Sequence, residues 1–282
     1  MKNGTGMFFK VVLGTVLFSM VASSVFAGGG KEKAAEPAPA VARQKEPPTQ
    51  APVTILVAAA ASLRNSFEQQ LIPAFQKKYP WITVEGTYDS SGKLQTQIEE
   101  GLGADVFMSA ALTQMNNLVN KNLISGSTVK PLLENKVVLI KPVGTTTAVT
   151  SFQTITQAKT IAMGDPASVP AGQYAREAFI TLGIWDAVQA AKPSLGTNVT
   201  EVLNWVGQGS ADVGIVYGTD AISVKTVEII AEAPAGSHQK AVYPVGIVAA
   251  SAHPAEAQLL VDFLASPEGL EIFKNFGFSA NN

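Results

Sequence analysis

The run Val53-Thr-Ile-Leu-Val-Ala-Ala-Ala-Ala-Ser-Leu63 carries no charge, ends in tiny residues and a hydroxyl, and leads into a helical pattern with Arg64, Phe67, Leu71 and Phe75. A run of this kind reads as a buried strand feeding a helix N-terminus. The order then continues with a strand at Ile82 to Tyr88, a helix at Leu94 to Glu100 and a strand at Asp105 to Ser109. Such alternation predicts an α/β sheet of mostly parallel strands. A similar order returns later: a strand at Thr160 to Asp165, helices from Pro170 to Phe179 and from Val199 to Val206, and a strand at Ala211 to Tyr217. The two series share a short echo, Gly103-Ala-Asp-Val106 against Ser210-Ala-Asp-Val213.

This repetition implies two similarly wound lobes facing each other, with Lys136 to Ile140 and Val242 to Ala249 as strands passing between them. Open α/β sheets bind ligands beyond the carboxyl ends of their strands. Two facing sheets would therefore make a cleft with helix N-termini on both walls. Apolar residues at Leu259, Leu260, Phe263, Leu264, Leu270, Ile272 and Phe273 predict helices packed on the core between Pro254 and Phe276.

The ends and the composition set further bounds. Lys2 and Lys10, an apolar stretch from Val11 to Ala22 and the small-residue pattern Val25-Phe26-Ala27 read as a secretory signal peptide over 1–27. Residues 28–52, rich in Ala, Pro, Glu and Lys, have too little apolar surface to fold and read as a disordered linker. The expected division of the remainder is 53–134 for the first part of lobe I, 135–235 for lobe II and 236–282 for the return of lobe I. With Cys 0 the chain has no disulfide, thiol nucleophile, Cys-ligated zinc or lipidated cysteine. The balance of Lys+Arg 20 against Asp+Glu 22, with guanidinium groups only at Arg43, Arg64 and Arg176, argues against nucleic acid as a partner.

Five small features fall at equivalent places in the two series. Ser62 opens the first helix and Ala171, in Val169-Pro-Ala-Gly172, opens its counterpart. Ser90-Ser-Gly92 precedes the helix at Leu94, Asn198-Val199 precedes the helix at Leu203, and Tyr217 ends a strand. Each has a structural explanation: N-caps for the serines, a preset first-turn dihedral for Pro170, a hydrophobic staple for Val199 and a core phenol for Tyr217. Together they offer hydroxyls, backbone N–H groups and helix dipoles, with no evident acid or base. Such a set suits a fully deprotonated tetrahedral dianion, all of whose oxygens accept.

Five segments together resemble the periplasmic molybdate-binding proteins of bacterial ABC importers: Ala58-Ala-Ala-Ala-Ser-Leu63, Asp89-Ser-Ser-Gly-Lys-Leu94, Gly103-Ala-Asp-Val-Phe-Met-Ser109, Gly164-Asp-Pro-Ala-Ser-Val-Pro-Ala-Gly172 and Gly214-Ile-Val-Tyr-Gly-Thr-Asp220. The resemblance runs from about Val53 to Phe278. It implies an α/β, two-lobed type II periplasmic binding protein fold that holds molybdate or tungstate in the interlobe cleft. The implied oxyanion ligands are Ser62, Ser91, Ala171 and Val199 through their backbones, and Tyr217 through its hydroxyl. It also implies a periplasmic monomer without a cofactor, not an enzyme, whose metal is present only as the oxyanion and whose partners are an ABC permease and its ATPase. One position departs from the family pattern: Ala111 stands where Asp usually follows the Ser-Ala pair, at the cleft rim or a partner surface.

The same residues are compatible with other readings. A binder of sulfate, phosphate or a small carboxylate would share the cleft, although an Arg fork for the last two is missing. A secreted serine hydrolase would pair Ser62 with His238 or His253, without the Gly-x-Ser-x-Gly turn such a nucleophile needs. A sensory ectodomain would need a membrane helix that the chain after Ala27 does not offer.

Overall fold

The computed structural model describes residues 50–281. The signal peptide expected over 1–27, and the expected linker up to residue 49, therefore lie outside the described residues. Two sheets organise the rest. The first has the order β11-β4-β10-β3-β1-β2, built from β1 (Val53–Ala60), β2 (Ile82–Asp89), β3 (Val106–Met108), β4 (Lys130–Asn135), β10 (Ala241–Ile247) and β11 (Ser279–Ala280). The second has the order β7-β6-β8-β5-β9, built from β5 (Val137–Pro142), β6 (Ile161–Gly164), β7 (Ser194–Gly196), β8 (Val213–Tyr217) and β9 (Val227–Glu232).

Each sheet has a parallel part, β2-β1-β3 in one and β7-β6-β8 in the other, as the alternation of strands and helices requires. The expectation of mostly parallel strands is corrected by what lies beside those parts. Strands β10, β4 and β11 pair antiparallel in the first sheet, and β5 pairs antiparallel with both β8 and β9 in the second. The strands expected to run between the lobes are instead integral to them: β5 belongs to the second sheet and β10 to the first. The chain crosses through Lys136 alone on the way out and through the segment between Glu232 and Ala241 on the way back. A connection of one residue cannot house a strand, so the apolar residues on either side were each drawn into a core.

The first helix is not regular. Residues Ala61–Leu63 form a 3₁₀ turn, Arg64–Ser66 an α turn, Phe67–Leu71 a π turn and Ile72–Lys78 an α-helix. Pro73 supplies the reason for the wide turn, because its ring lacks an N–H and crowds the carbonyl of Gln69 one turn earlier. Widening that turn relieves the clash without ending the helix. Phe67, Leu71 and Phe75 are fully buried on its inner face. Phe67 meets Phe273 edge-on at 6.1 Å and Phe75 meets Phe263 at 5.6 Å, which docks this helix on Pro254–Leu264 and Pro267–Asn275. Burial of each phenyl ring contributes roughly 1.5–3 kcal/mol by transfer, so the seam holds the C-terminal helices to the first lobe.

Candidate functional site

The parallel strands aim their carboxyl ends at the space between the sheets, and the helices that follow start there. Ser62, Ser91, Ala171, Val199 and Tyr217 line one cavity, with Ala60, Ala61, Asp89, Ser90, Ala110, Val169 and Pro170 completing its wall. The cavity is small. Three of the helices beginning at this cavity are Ser91–Glu99 from the first lobe and Pro170–Thr181 and Val199–Gly207 from the second. Ser91 and Val199 are first residues of their helices and Ala171 is a second residue, so their N–H groups have no acceptor within the helix. Facing helix N-termini contribute about 0.3–1 kcal/mol each to an anion, and up to ~2 when partly buried.

The structural explanations for the serines divide between neighbours. Ser90, not Ser91, is the N-cap, with its Oγ accepting from Lys93 N–H at 3.4 Å. Ser91 is completely buried, and its Oγ accepts the N–H of Ala110 at 2.9 Å. Ser62 does not cap its helix; its Oγ lies 3.0 Å from the hydroxyl of Tyr243. On the other wall Asn198 takes the cap position, its Oδ1 accepting from Glu201 N–H at 3.0 Å.

Tyr217 is 1% exposed, and its hydroxyl has no hydrogen-bond partner. A buried hydroxyl left unpaired costs about 1–3 kcal/mol, so its persistence requires a reason. Burial, and after it the neighbouring Tyr243, Tyr174 and Asp220, hold the phenol well above its ordinary pKa. It is therefore a neutral O–H donor. Asp220, in the next turn, accepts the N–H of Tyr217 at 3.1 Å. Burial raises the Asp220 carboxyl to about 7, against the smaller opposing effect of that hydrogen bond.

One carboxylate stands at the cavity wall, and its oxygens are engaged. Asp89 accepts from Ser90 N–H at 2.8 Å and from Asn198 Nδ2 at 3.1 Å, and its other oxygen lies 3.4 Å from Lys93 Nζ. The Asp89–Asn198 bond joins the two lobes. So do a bond from Gly92 N–H to the Ser168 carbonyl at 3.0 Å and one from Gln114 Nε2 to Gln173 Oε1 at 3.2 Å. The lobes are thus closed on each other.

Neither histidine lines this cavity. His238 packs at a tilt against Tyr174 with centroids 5.5 Å apart, and His253 is the N-cap of Pro254–Leu264. Ser62 has a phenol beside it, not an imidazole, which removes the geometry a serine hydrolase would need. Ala111 also lies off the cavity. It is buried at the N-cap of Leu112–Asn120, where Ser109 Oγ accepts its N–H at 3.1 Å. The residues that reasoning from sequence missed are Tyr243 and Asn135, which hold Ser62 from behind. No local pattern marks them, because the contacts span 181 residues between Ser62 and Tyr243 and 108 between Asn135 and Tyr243.

Two α/β lobes, joined by two crossings and closed over a cavity walled by donors, define a two-lobed solute-binding protein. The chain belongs to the bacterial extracellular solute-binding protein family, whose model matches residues 55–279. It is 37% identical over 231 residues to the molybdate-binding protein ModA of Escherichia coli (strain K12), covering 80% of this chain and 88% of that protein. It is 40% identical over 228 residues to YvgL of Bacillus subtilis (strain 168), named as an ABC transporter substrate-binding lipoprotein, covering 81% of this chain and 87% of that one. The periplasmic molybdate-binding protein of Azotobacter vinelandii shares the fold with a TM-score of 0.71 at 22% identity, covering 81% of this chain and all of the other.

Proposed function

We propose that this protein captures molybdate, and tungstate with it, outside the cytoplasmic membrane and presents the closed, loaded form to an ABC permease and its ATPase. In this reading it is an exported periplasmic monomer with no catalytic role. The lobes divide as 53–134 with 236–282 against 135–235. Relatives named for molybdate support the ion, and the donor chemistry of the cavity supports the site. The observation that carries the reading is the unpartnered hydroxyl of Tyr217, buried at a cavity it shares with Ser62, Ser91, Ala171 and Val199. A ligand made only of acceptors satisfies that hydroxyl and the first-turn N–H groups together.

In the mechanism, the open lobes admit the dianion and one wall takes it first. Rotation about the two crossings then brings the other wall's helix N-termini and Tyr217 onto the remaining oxygens. Closure excludes water, which strengthens each charge-assisted bond. Selectivity against sulfate follows from cavity size, since both ions are tetrahedral dianions and only their bond lengths differ. The test is a titration of the protein lacking residues 1–27 with molybdate, tungstate, sulfate and phosphate, followed by tryptophan fluorescence and melting. Trp205, in the cleft beside Asn198, is the reporter of closure. Saturable binding of molybdate and tungstate, with sulfate much weaker, is expected. Equal affinity for sulfate would reassign the ligand, and ester hydrolysis lost in Ser62→Ala would overturn the reading.

A further inference from the structure

A serine hydroxyl both donates and accepts, so a cage for a fully deprotonated anion works only if each serine is compelled to turn its proton inward. For Ser91 the compulsion is local, since the N–H of Ala110 occupies a lone pair of its Oγ. For Ser62 it comes from further away. The Oδ1 of Asn135 accepts the N–H of Lys136 at 2.9 Å, which fixes the orientation of the amide. Its Nδ2 must then donate, and it does so to Thr219 Oγ1 at 2.8 Å and to the hydroxyl of Tyr243 at 3.2 Å. Tyr243 is wholly buried, and its own proton has one acceptor in hydrogen-bond contact, Ser62 Oγ at 3.0 Å.

We propose that Asn135 and Tyr243 are positioning residues whose one-way chain of hydrogen bonds makes Ser62 a donor to the bound anion, and that this polarity sets the preference for ions without a proton. The inference rests on the reading of the cavity as an oxyanion site. Asn135 is the last residue of β4 in the first sheet, immediately before the crossing at Lys136, and Thr219 lies in the turn of helix that follows β8 of the second sheet. The polarity is therefore established where the lobes meet.

Asn135→Asp reverses the chain without changing its shape. An aspartate accepts from Tyr243 and Thr219 as well as from Lys136 N–H, Tyr243 then accepts from Ser62, and Ser62 turns a lone pair toward the ligand. Calorimetric titration of the full mature protein with molybdate and with hydrogenphosphate, which carries a proton to donate, reads the effect. In Asn135→Asp the dissociation constant for molybdate is expected to rise at least tenfold more than that for hydrogenphosphate. The ratio separates polarity from damage, because a loosened site or an added charge weakens both anions alike. In a Tyr243→Phe background, which breaks the chain, adding Asn135→Asp is expected to change the ratio less than twofold. An unchanged ratio in the single variant, or the same change with Phe at 243, overturns the inference. Wild-type protein that binds no molybdate would instead defeat the functional reading, which keeps the two failures apart.

Discussion

Gly92 N–H donates to the carbonyl of Ser168 at 3.0 Å, and a Cβ built on Gly92 would stand 2.3 Å from that same oxygen. The first residue lies in the helix of one lobe that starts at the cavity, and the second lies in the loop leading into Pro170–Thr181 of the other. Their contact exists only because one partner has no side chain, which makes it a gauge of how far the lobes close. Carbonyl and backbone cannot yield 1 Å or more without moving a whole lobe.

Gly92→Ala is therefore expected to leave each lobe folded and to stop full closure. Molybdate affinity should fall at least tenfold, on the order of 1.4 kcal/mol or more. The melting temperature of the ligand-free protein should change little, and small-angle scattering with ligand should give a larger radius of gyration than wild type. A variant that binds and compacts as wild type would show that this contact does not limit closure.

Asp220 supplies a pH dependence of known sign. Its folded pKa, about 7, lies above its ordinary 3.8, so folding favours the protonated form. The stability it contributes is whole below about pH 4 and is lost progressively as pH rises to about 7. Thermal melting of the ligand-free protein across that range should decline more steeply in wild type than in Asp220→Asn, whose amide does not titrate. A dianion bound near Asp220 favours its protonation, so molybdate binding near pH 7 is expected to take up protons in wild type and fewer in the variant. Titration calorimetry in buffers of different ionisation enthalpy measures that difference, and equal proton uptake would remove Asp220 from the linkage.

Ala111 occupies an N-cap position with no side-chain oxygen, on a helix whose first N–H groups lack intrahelical partners. Ala111→Ser should raise stability by about 0.5–1 kcal/mol, read from urea unfolding, and leave molybdate affinity unchanged. Lower stability would mean that the buried site has no room for the oxygen.

Much of the fold could be read along the chain because strand and helix periods are local properties. The run from Val53, the helices opening at Pro170 and Val199, and the strand ending at Tyr217 all stand where their patterns put them. The five candidate ligands converge because each sits at the end of a strand or the start of a helix, and sheet topology gathers those ends in one place. What could not be read is long-range. Antiparallel pairing of β5 and β10 depends on where the chain crosses between sheets, and the π turn at Phe67–Leu71 answers to a single ring at Pro73. Likewise, nothing near Asn135 or Tyr243 announces that Tyr243 meets Ser62 or that Asn135 meets Tyr243. The exchange of cap duty between Ser90 and Ser91 is a matter of one residue, beyond what period and composition resolve.

Under the proposed function, neutral donors stand unsatisfied until a dianion arrives, and Tyr217→Phe puts that to the test. Removing a buried hydroxyl that has no partner should stabilise the ligand-free protein, while removing a donor to the anion should weaken binding, each by about 1–3 kcal/mol. Melting and molybdate titration of the same preparation are thus expected to move in opposite directions: a higher melting temperature without ligand and a dissociation constant raised roughly fivefold to 150-fold. Unchanged molybdate affinity, or a loss of ligand-free stability, would contradict the claim.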